Sequence, residues 1–278
     1  MPELPELEVV RDVLHRRVVG RTITAAELIP PGGSIVARDL VNIGFEGALS
    51  GATIAAVSRR GKFLVFAFRT DPLALFLAVN PKLAGRLQLT DPSEKRLVKT
   101  HLVLDLDDGQ QLRYLDQKQM GQLYLASDLD AVPDYAGMGP EPLDISLETF
   151  RERLRPFRGE IKGILTRGQF VAGIGNAYAD EILWAARLHP YRKRTQLTPA
   201  ELDRLYEAMR LTLAEGVEKV RQEMQEQIHL KPRDFLAVHM KTGQPCPRCG
   251  TPLSLVGANQ RITNFCRSCQ PGGLIKGM

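Results

Sequence analysis

The stretch HLVLDLDDGQQLRYL, residues 101–115, alternates apolar and polar positions on both sides of an Asp108-Gly109 pair. Such a pair between two alternating runs is a strong two-residue β-hairpin signal, because Gly tolerates the positive φ that the tight turn needs. Further runs of the same kind surround it: TITAAELI, ATIAAV, KFLVFAF, LALFLAV and QLYLA, all between Arg21 and Leu125. Strands at this spacing predict an antiparallel β-sandwich or barrel-like unit. Ahead of them, residues 5–19 place Val10, Val13, Leu14 and Val18 at helical spacing, which predicts one amphipathic helix next to the amino terminus.

The stretch from Ala131 to Asp144 (AVPDYAGMGPEPLD) holds three prolines and two glycines and divides the strand-rich part from a helix-rich part. Beyond it, Leu147–Leu154 and Ile161–Thr166 have helical patterns. VAGIGN (171–176) then interrupts the periodicity before Ala177–Leu188 restores it, as in two helices joined by a tight glycine-bearing turn. Thr198, Pro199 and Glu201 form an N-cap, a first-turn proline and a capping box for a further helix, with Leu202, Leu205, Met209, Leu213, Val217 and Val220 along one face.

The four cysteines all lie near the carboxyl end, as Cys246-x2-Cys249 and Cys266-x2-Cys269 separated by 16 residues. A disulfide framework would be spread through a small domain, whereas this spacing is that of a zinc ribbon. Four thiolates close a tetrahedron and leave no position for a substrate water, so one structural Zn2+ is expected, holding a hairpin too small to bury its own core. Arg261 falls at the expected hairpin tip, within reach of a phosphate. Lys and Arg exceed Asp and Glu by 37 to 32, a modest excess compatible with a polyanionic partner. With 44% hydrophobic and 25% charged residues the composition is globular, and no apolar run approaches the roughly 20 residues of a membrane span. The start of the chain is acidic, unlike a secretory signal, so the protein is expected to stay in the compartment where it is made, the cytoplasm.

That start, MPELPE, carries its own chemistry. Removal of the initiator Met would leave Pro2 with a free secondary amine, and an α-amino group is largely neutral nearer pH 7 than Lys is. Such an amine can attack an electrophilic sugar carbon and form an iminium, with Glu3 and Glu6 close enough to move protons. A plain structural role for PELPE, an extended lead into a helix with Glu6 favourable in its first turn, is the better reading of the hexapeptide taken alone.

From end to end the chain resembles the formamidopyrimidine-DNA glycosylase and endonuclease VIII family. The resemblance rests on PELPELE at the start, RRGKFL (59–64), GPEPL (139–143), VAGIGNAYADEILWAARLHP (171–190), PCPRCG and NQRITNFCRSCQ. Leu4 sides with the formamidopyrimidine branch. The resemblance implies an α+β multidomain fold: a catalytic β-sandwich with an N-terminal helix (1–130), a linker (131–145), a helix-two-turn-helix DNA-binding domain (146–235), a zinc finger (236–270) and a tail (271–278). It implies a bifunctional DNA glycosylase and AP lyase of base excision repair, acting as a monomer on damaged double-stranded DNA without an organic cofactor. Pro2 would be the nucleophile, Glu3 the general acid/base, Glu6 a supporting carboxylate and Lys62 a phosphate ligand. Asn176, Tyr178 and Arg261 would contact the DNA backbone.

Some positions depart from the purine-specific pattern. Leu83, in NPKLAG (80–85), stands where a Met usually fills the void left by a flipped base, and Lys118 and Met120, in DQKQMG (116–121), stand for an Arg and a Phe. Leu and Met can still wedge between bases, and Lys can still donate to the orphaned base, without the bidentate fork of Arg. Leu165–Gln169 lacks a customary acidic residue, and 222–235 has no glycine where a capping loop is expected. Ring-opened and oxidised purines are the first expectation. Preference for oxidised pyrimidines or abasic sites, or a non-catalytic lesion-binding paralogue, are the alternatives.

Overall fold

The computed structural model describes residues 1–69, 74–257 and 262–272. The chain forms two compact units, one of residues 1–137 with 220–232 and one of residues 138–219 with 233–278. The division falls inside the stretch expected to be a linker. The cysteine hairpin and the helices share one compact unit, where the sequence suggested two domains.

The first unit begins with helix α1 (Leu4–Val18), which lies against strands β3 (Thr53–Arg60) and β4 (Phe63–Arg69). Its apolar stripe is the one expected, with Leu4, Leu7, Val10, Val13, Leu14 and Val18 all 0–6% exposed. Each such side chain contributes about 1.5–3 kcal/mol of transfer free energy, so α1 is held by packing rather than by propensity.

One sheet runs β1 (Ile23–Leu28), β7 (Thr100–Leu106), β8 (Gln111–Leu115), β6 (Arg86–Thr90); the other runs β2 (Ala37–Asp39), β9 (Gln122–Ala126), β5 (Leu75–Asn80), β4, β3. Two strands, β2 and β6, were not anticipated, and β2 pairs with β9 in parallel, which corrects the purely antiparallel expectation. A short helix α2 (Gly32–Val36) leads into β2, and β2 and β9 are separated by strands β3 to β8, so no tight hairpin ties the pair into an antiparallel arrangement. The β7–β8 hairpin forms as expected, but its loop has three residues. Leu106 pairs with Gln110, and Gly109 takes φ 81°. The two-residue turn is at Gly61-Lys62 instead, where Arg60 faces Phe63 and Gly61, at φ 54°, occupies the first central position.

The first unit also holds a short helix α3 (Phe45–Leu49); the second contains helices α4 (Leu147–Leu154), α5 (Ile161–Leu165), α6 (Asn176–Ala185) and the greater part of α7 (Pro199–Met224), then the hairpin of β10 (Ser254–Val256) and β11 (Thr263–Phe265). The Thr198 capping box is present: Thr198 N donates to Glu201 Oε2 (2.9 Å) and Glu201 N to Thr198 Oγ1 (3.3 Å). Among the described residues no helix is long and apolar enough to cross a membrane.

Glu8 of α1 is ion-paired with Arg59 of β3 and with Arg11. Burial pushes its carboxyl upward, but the bond and charge of Arg59, with Arg11, outweigh burial and hold it below its ordinary 4.5. A depressed carboxyl stabilises the fold fully above that value, and the contribution is lost as pH falls through the lower folded value. Glu8→Gln should therefore lower stability by about 2 kcal/mol at pH 7. In thermal melts the gap to wild type should shrink as pH falls below the ordinary carboxylate range; a gap that stays constant on acidification would contradict the pairing.

Candidate active site and metal centre

At the head of α1 the chain is locked by its own first residues. Glu3 is the N-cap, and its backbone N–H donates to Glu6 Oε2 at 2.9 Å, one half of a reciprocal capping box whose other half runs from the Glu6 N–H to the Glu3 side chain. Both carboxyl side chains are 2% exposed, and Pro2 is buried beside them. The helix start thus brings Pro2, Glu3 and Glu6 together. With Met1 removed, Pro2 would present an amine next to two buried carboxyls, an arrangement that can form a covalent bond and move protons around it.

Pro2 and Glu6 line a pocket whose walls are otherwise mostly apolar, with Leu7 and Val10 of α1, Leu64 of β4 and Val79 of β5 on one side. Met224, Ile228 and Leu230 form another wall. These last residues belong to the glycine-free stretch, which folds as compact turns: Gln225 has φ 48°, Gln227 N donates to Met224 O, and Arg86 Nη1 donates to His229 O at 3.1 Å. Lys62 stands in the tight β3–β4 turn, half-buried.

The loops bearing the expected wedge residues follow β5 and β8. Leu83 is half-buried, Lys118 is exposed, and Met120 is 48% exposed, a large apolar side chain held in the open. In the second unit Asn176 is the first residue of α6, after Gly175 as N-cap, where backbone N–H groups can receive an anion. Tyr178 is placed as a packing residue instead of a surface one. It is 1% exposed, and a Cβ on Gly216 of α7 would lie 2.7 Å from its ring. Arg261 lies outside the described residues.

The four cysteine sulfurs all lie within 4.8 Å of one another, with Cys246 to Cys269 at 3.9 Å and Cys249 to Cys266 at 3.5 Å. A tetrahedron with Zn–S bonds of about 2.3 Å has edges of about 3.8 Å, so the set fits zinc. Hydrogen bonds to Thr251 hold the Cys249 thiol down to about 6, whereas burial and the neighbouring sulfurs push Cys269 up to about 12. Four adjacent thiols resist joint ionisation unless a cation compensates, and Zn2+ supplies that charge. Trp184 Nε1 points at Cys246 Sγ (3.4 Å), and the Arg248 guanidinium lies 4.1 Å over the indole.

Sequence reasoning missed the buried carboxylates that hold these parts. Asp180 receives Lys162 Nζ (2.6 Å) and the Asn264 N–H (3.1 Å) and contacts His239 Nδ1 (2.8 Å). Glu181 accepts the N–H groups of Ala237, Val238 and His239. Asp116 does the same for the loop that follows it. The only signal was an acidic pair inside an apolar helix pattern, and an Asp opening a loop.

A two-sheet unit that opens on the adjacent Pro2, Glu3 and Glu6, and a helical unit that carries a four-cysteine hairpin, define a two-unit protein with a zinc hairpin. Three family models match in order: the formamidopyrimidine-DNA glycosylase N-terminal domain over residues 1–123, the formamidopyrimidine-DNA glycosylase H2TH domain over 138–227, and the zinc finger found in FPG and IleRS over 243–272. The formamidopyrimidine-DNA glycosylase of Symbiobacterium thermophilum is 39% identical, covering 98% of this chain and 90% of its own. The Lactococcus lactis Fpg in complex with abasic-site DNA has a TM-score of 0.84 at 32% identity, covering 97% of this chain and all of that one. The same Lactococcus lactis protein with oxidised-pyrimidine DNA also has a TM-score of 0.84 at 32% identity, covering 98% of this chain and all of that one. The chain belongs to the formamidopyrimidine-DNA glycosylase family.

Trp184 is the sole tryptophan, so its emission reports the metal centre directly. Purified protein should carry about one zinc per chain, and chelation should shift Trp184 emission reversibly on zinc return. Cys249→Ser should lose both the metal and the shift. Zinc loss without a spectral change would contradict the placement.

Proposed function

We propose that this chain is a bifunctional DNA glycosylase and AP lyase that excises oxidised or ring-opened bases from duplex DNA. The observation that carries the reading is the buried group of Pro2, Glu3 and Glu6, in which the residue best suited to attack is held beside its proton carriers. The Pro2 nitrogen attacks C1′ of the damaged nucleotide, the glycosidic bond breaks, and the base leaves with a proton supplied by Glu3. Because Pro2 is a secondary amine, the adduct opens to an iminium. The iminium acidifies the C2′ proton; its removal expels the 3′ phosphate, and a second elimination expels the 5′ phosphate. Lys62 and Asn176 serve as phosphate ligands and Cys246, Cys249, Cys266 and Cys269 hold a structural zinc. Tyr178 supports the turn at Asn176 from inside.

Flipping a nucleotide leaves a void, and the exposed Met120 with Leu83 and Lys118 is suited to fill it. Preference for the smaller oxidised pyrimidines is a second reading, favoured by Met224 and Ile228. Both are 1–2% exposed, and both form a wall of the Pro2 pocket. Borohydride trapping on duplexes carrying a formamidopyrimidine, 8-oxoguanine, an oxidised pyrimidine or an abasic site tests the reading and ranks the lesions. A covalent band is expected on the abasic duplex and on at least one damaged base. Tight binding without a band on any duplex would leave a lesion-binding protein instead.

A further inference from the structure

We propose that Asp116, assisted by Tyr114, is a positioning residue that pre-sets the two loops bearing Leu83, Lys118 and Met120 for entry into a duplex. This inference rests on the wedge reading given under the proposed function. Asp116 is 0% exposed, yet its carboxylate makes no ion pair among the described contacts; it collects backbone donors of the loop that follows it. Oδ1 accepts the Lys118 N–H (2.9 Å), and Oδ2 accepts those of Met120 (2.9 Å) and Gly121 (2.7 Å). Its carbonyl accepts the Gln119 N–H (3.2 Å) and lies 2.9 Å from His101 Nε2. Gln119, at φ 52°, sits in a backbone region that a non-glycine residue keeps only when its surroundings impose it.

Tyr114 couples this loop to the other. Its hydroxyl lies 3.5 Å from Asp116 Oδ2, and burial with the Asp116 charge pushes the phenol upward, so the hydroxyl keeps its proton. A Cβ on Gly121 would lie 1.8 Å from that oxygen, and one on Gly85 would lie 2.2 Å from it. The Leu83 loop closes on the same point through Gly85 N to Pro81 O (2.9 Å) and holds Lys82 at φ 45°. Both loops are therefore glycine where they touch one buried hydroxyl, and both keep a strained residue next to the wedge. Ordering a loop before binding removes that entropy from the binding step, and an apolar side chain such as Met120 is then presented on fixed backbone.

The test compares trapping on a duplex abasic site with trapping on a single-stranded abasic oligonucleotide, which has no stack to enter. Asp116→Asn keeps the volume but turns one acceptor into a donor facing backbone N–H groups. It should lower the duplex-to-single-strand ratio about tenfold or more and flatten its dependence on the opposite base, with single-strand trapping unchanged. Gly121→Ala sets a Cβ 1.8 Å from the Tyr114 oxygen and 3.1 Å from Asp116 Oδ2, so it displaces the loop while keeping the carboxylate's charge, and should lower the same ratio; adding Tyr114→Phe should restore part of it. Equal loss on both substrates, or no loss on the duplex, would overturn the proposal. If wild type traps neither substrate the proposed function itself fails. If wild type traps both and Met120→Ala leaves the ratio unchanged, the wedge reading fails and this inference with it.

Discussion

The hydrogen bond from the Glu3 N–H to the Glu6 carboxylate, 2.9 Å long and buried, is the constraint on which the account depends. Chain termini ordinarily fray, because few contacts repay the entropy of ordering them. Here the capping box fixes the backbone one residue after Pro2, and the fully buried Leu4 and Leu14 anchor the helix behind it. Pro2 thereby acquires the positional definition of a residue inside a helix. With Met1 removed, the Pro2 amine proposed as the nucleophile would also be less basic than that of lysine.

Elsewhere the fold repeats a single device. Asp39 accepts the N–H groups of Val41, Asn42 and Gly44, Asp116 those of Lys118, Met120 and Gly121, and Glu181 those of Ala237, Val238 and His239. Each carboxylate organises irregular backbone that no helix or sheet could satisfy. Burial pushes Glu181 upward despite its three donors, which shows the desolvation that such an arrangement must overcome. In the second unit Glu181 and Asp180 secure the segment before the hairpin and β11 itself, while the cysteines close its far end. A hairpin of two three-residue strands has no core of its own, so it depends on these polar ties and on the metal.

Much of this was legible in the sequence because it is local. The stripe of α1, the Thr198 capping box, the strand alternation around Asp108-Gly109 and the paired CxxC motifs each act over a few residues, where periodicity and spacing carry the physics. The misses are non-local. The parallel pairing of β2 with β9 joins segments far apart in the chain, and three residues give no periodic signal. The hairpin loop has three residues because Leu106 pairs with Gln110, a register that a dipeptide does not encode. Asp116 and Glu181 look like ordinary polar residues until the donors around them are known.

The central claim, that the amine of Pro2 is the reacting group, is tested most directly by locating the bond it forms. Protein trapped with borohydride on an abasic duplex would be digested and the DNA-bearing peptide sequenced by mass spectrometry. The account predicts a peptide that begins at Pro2, lacks Met1 and carries the reduced sugar on its terminal nitrogen. An adduct on Lys62, or on any other lysine, with the amino-terminal peptide recovered unmodified, would contradict it.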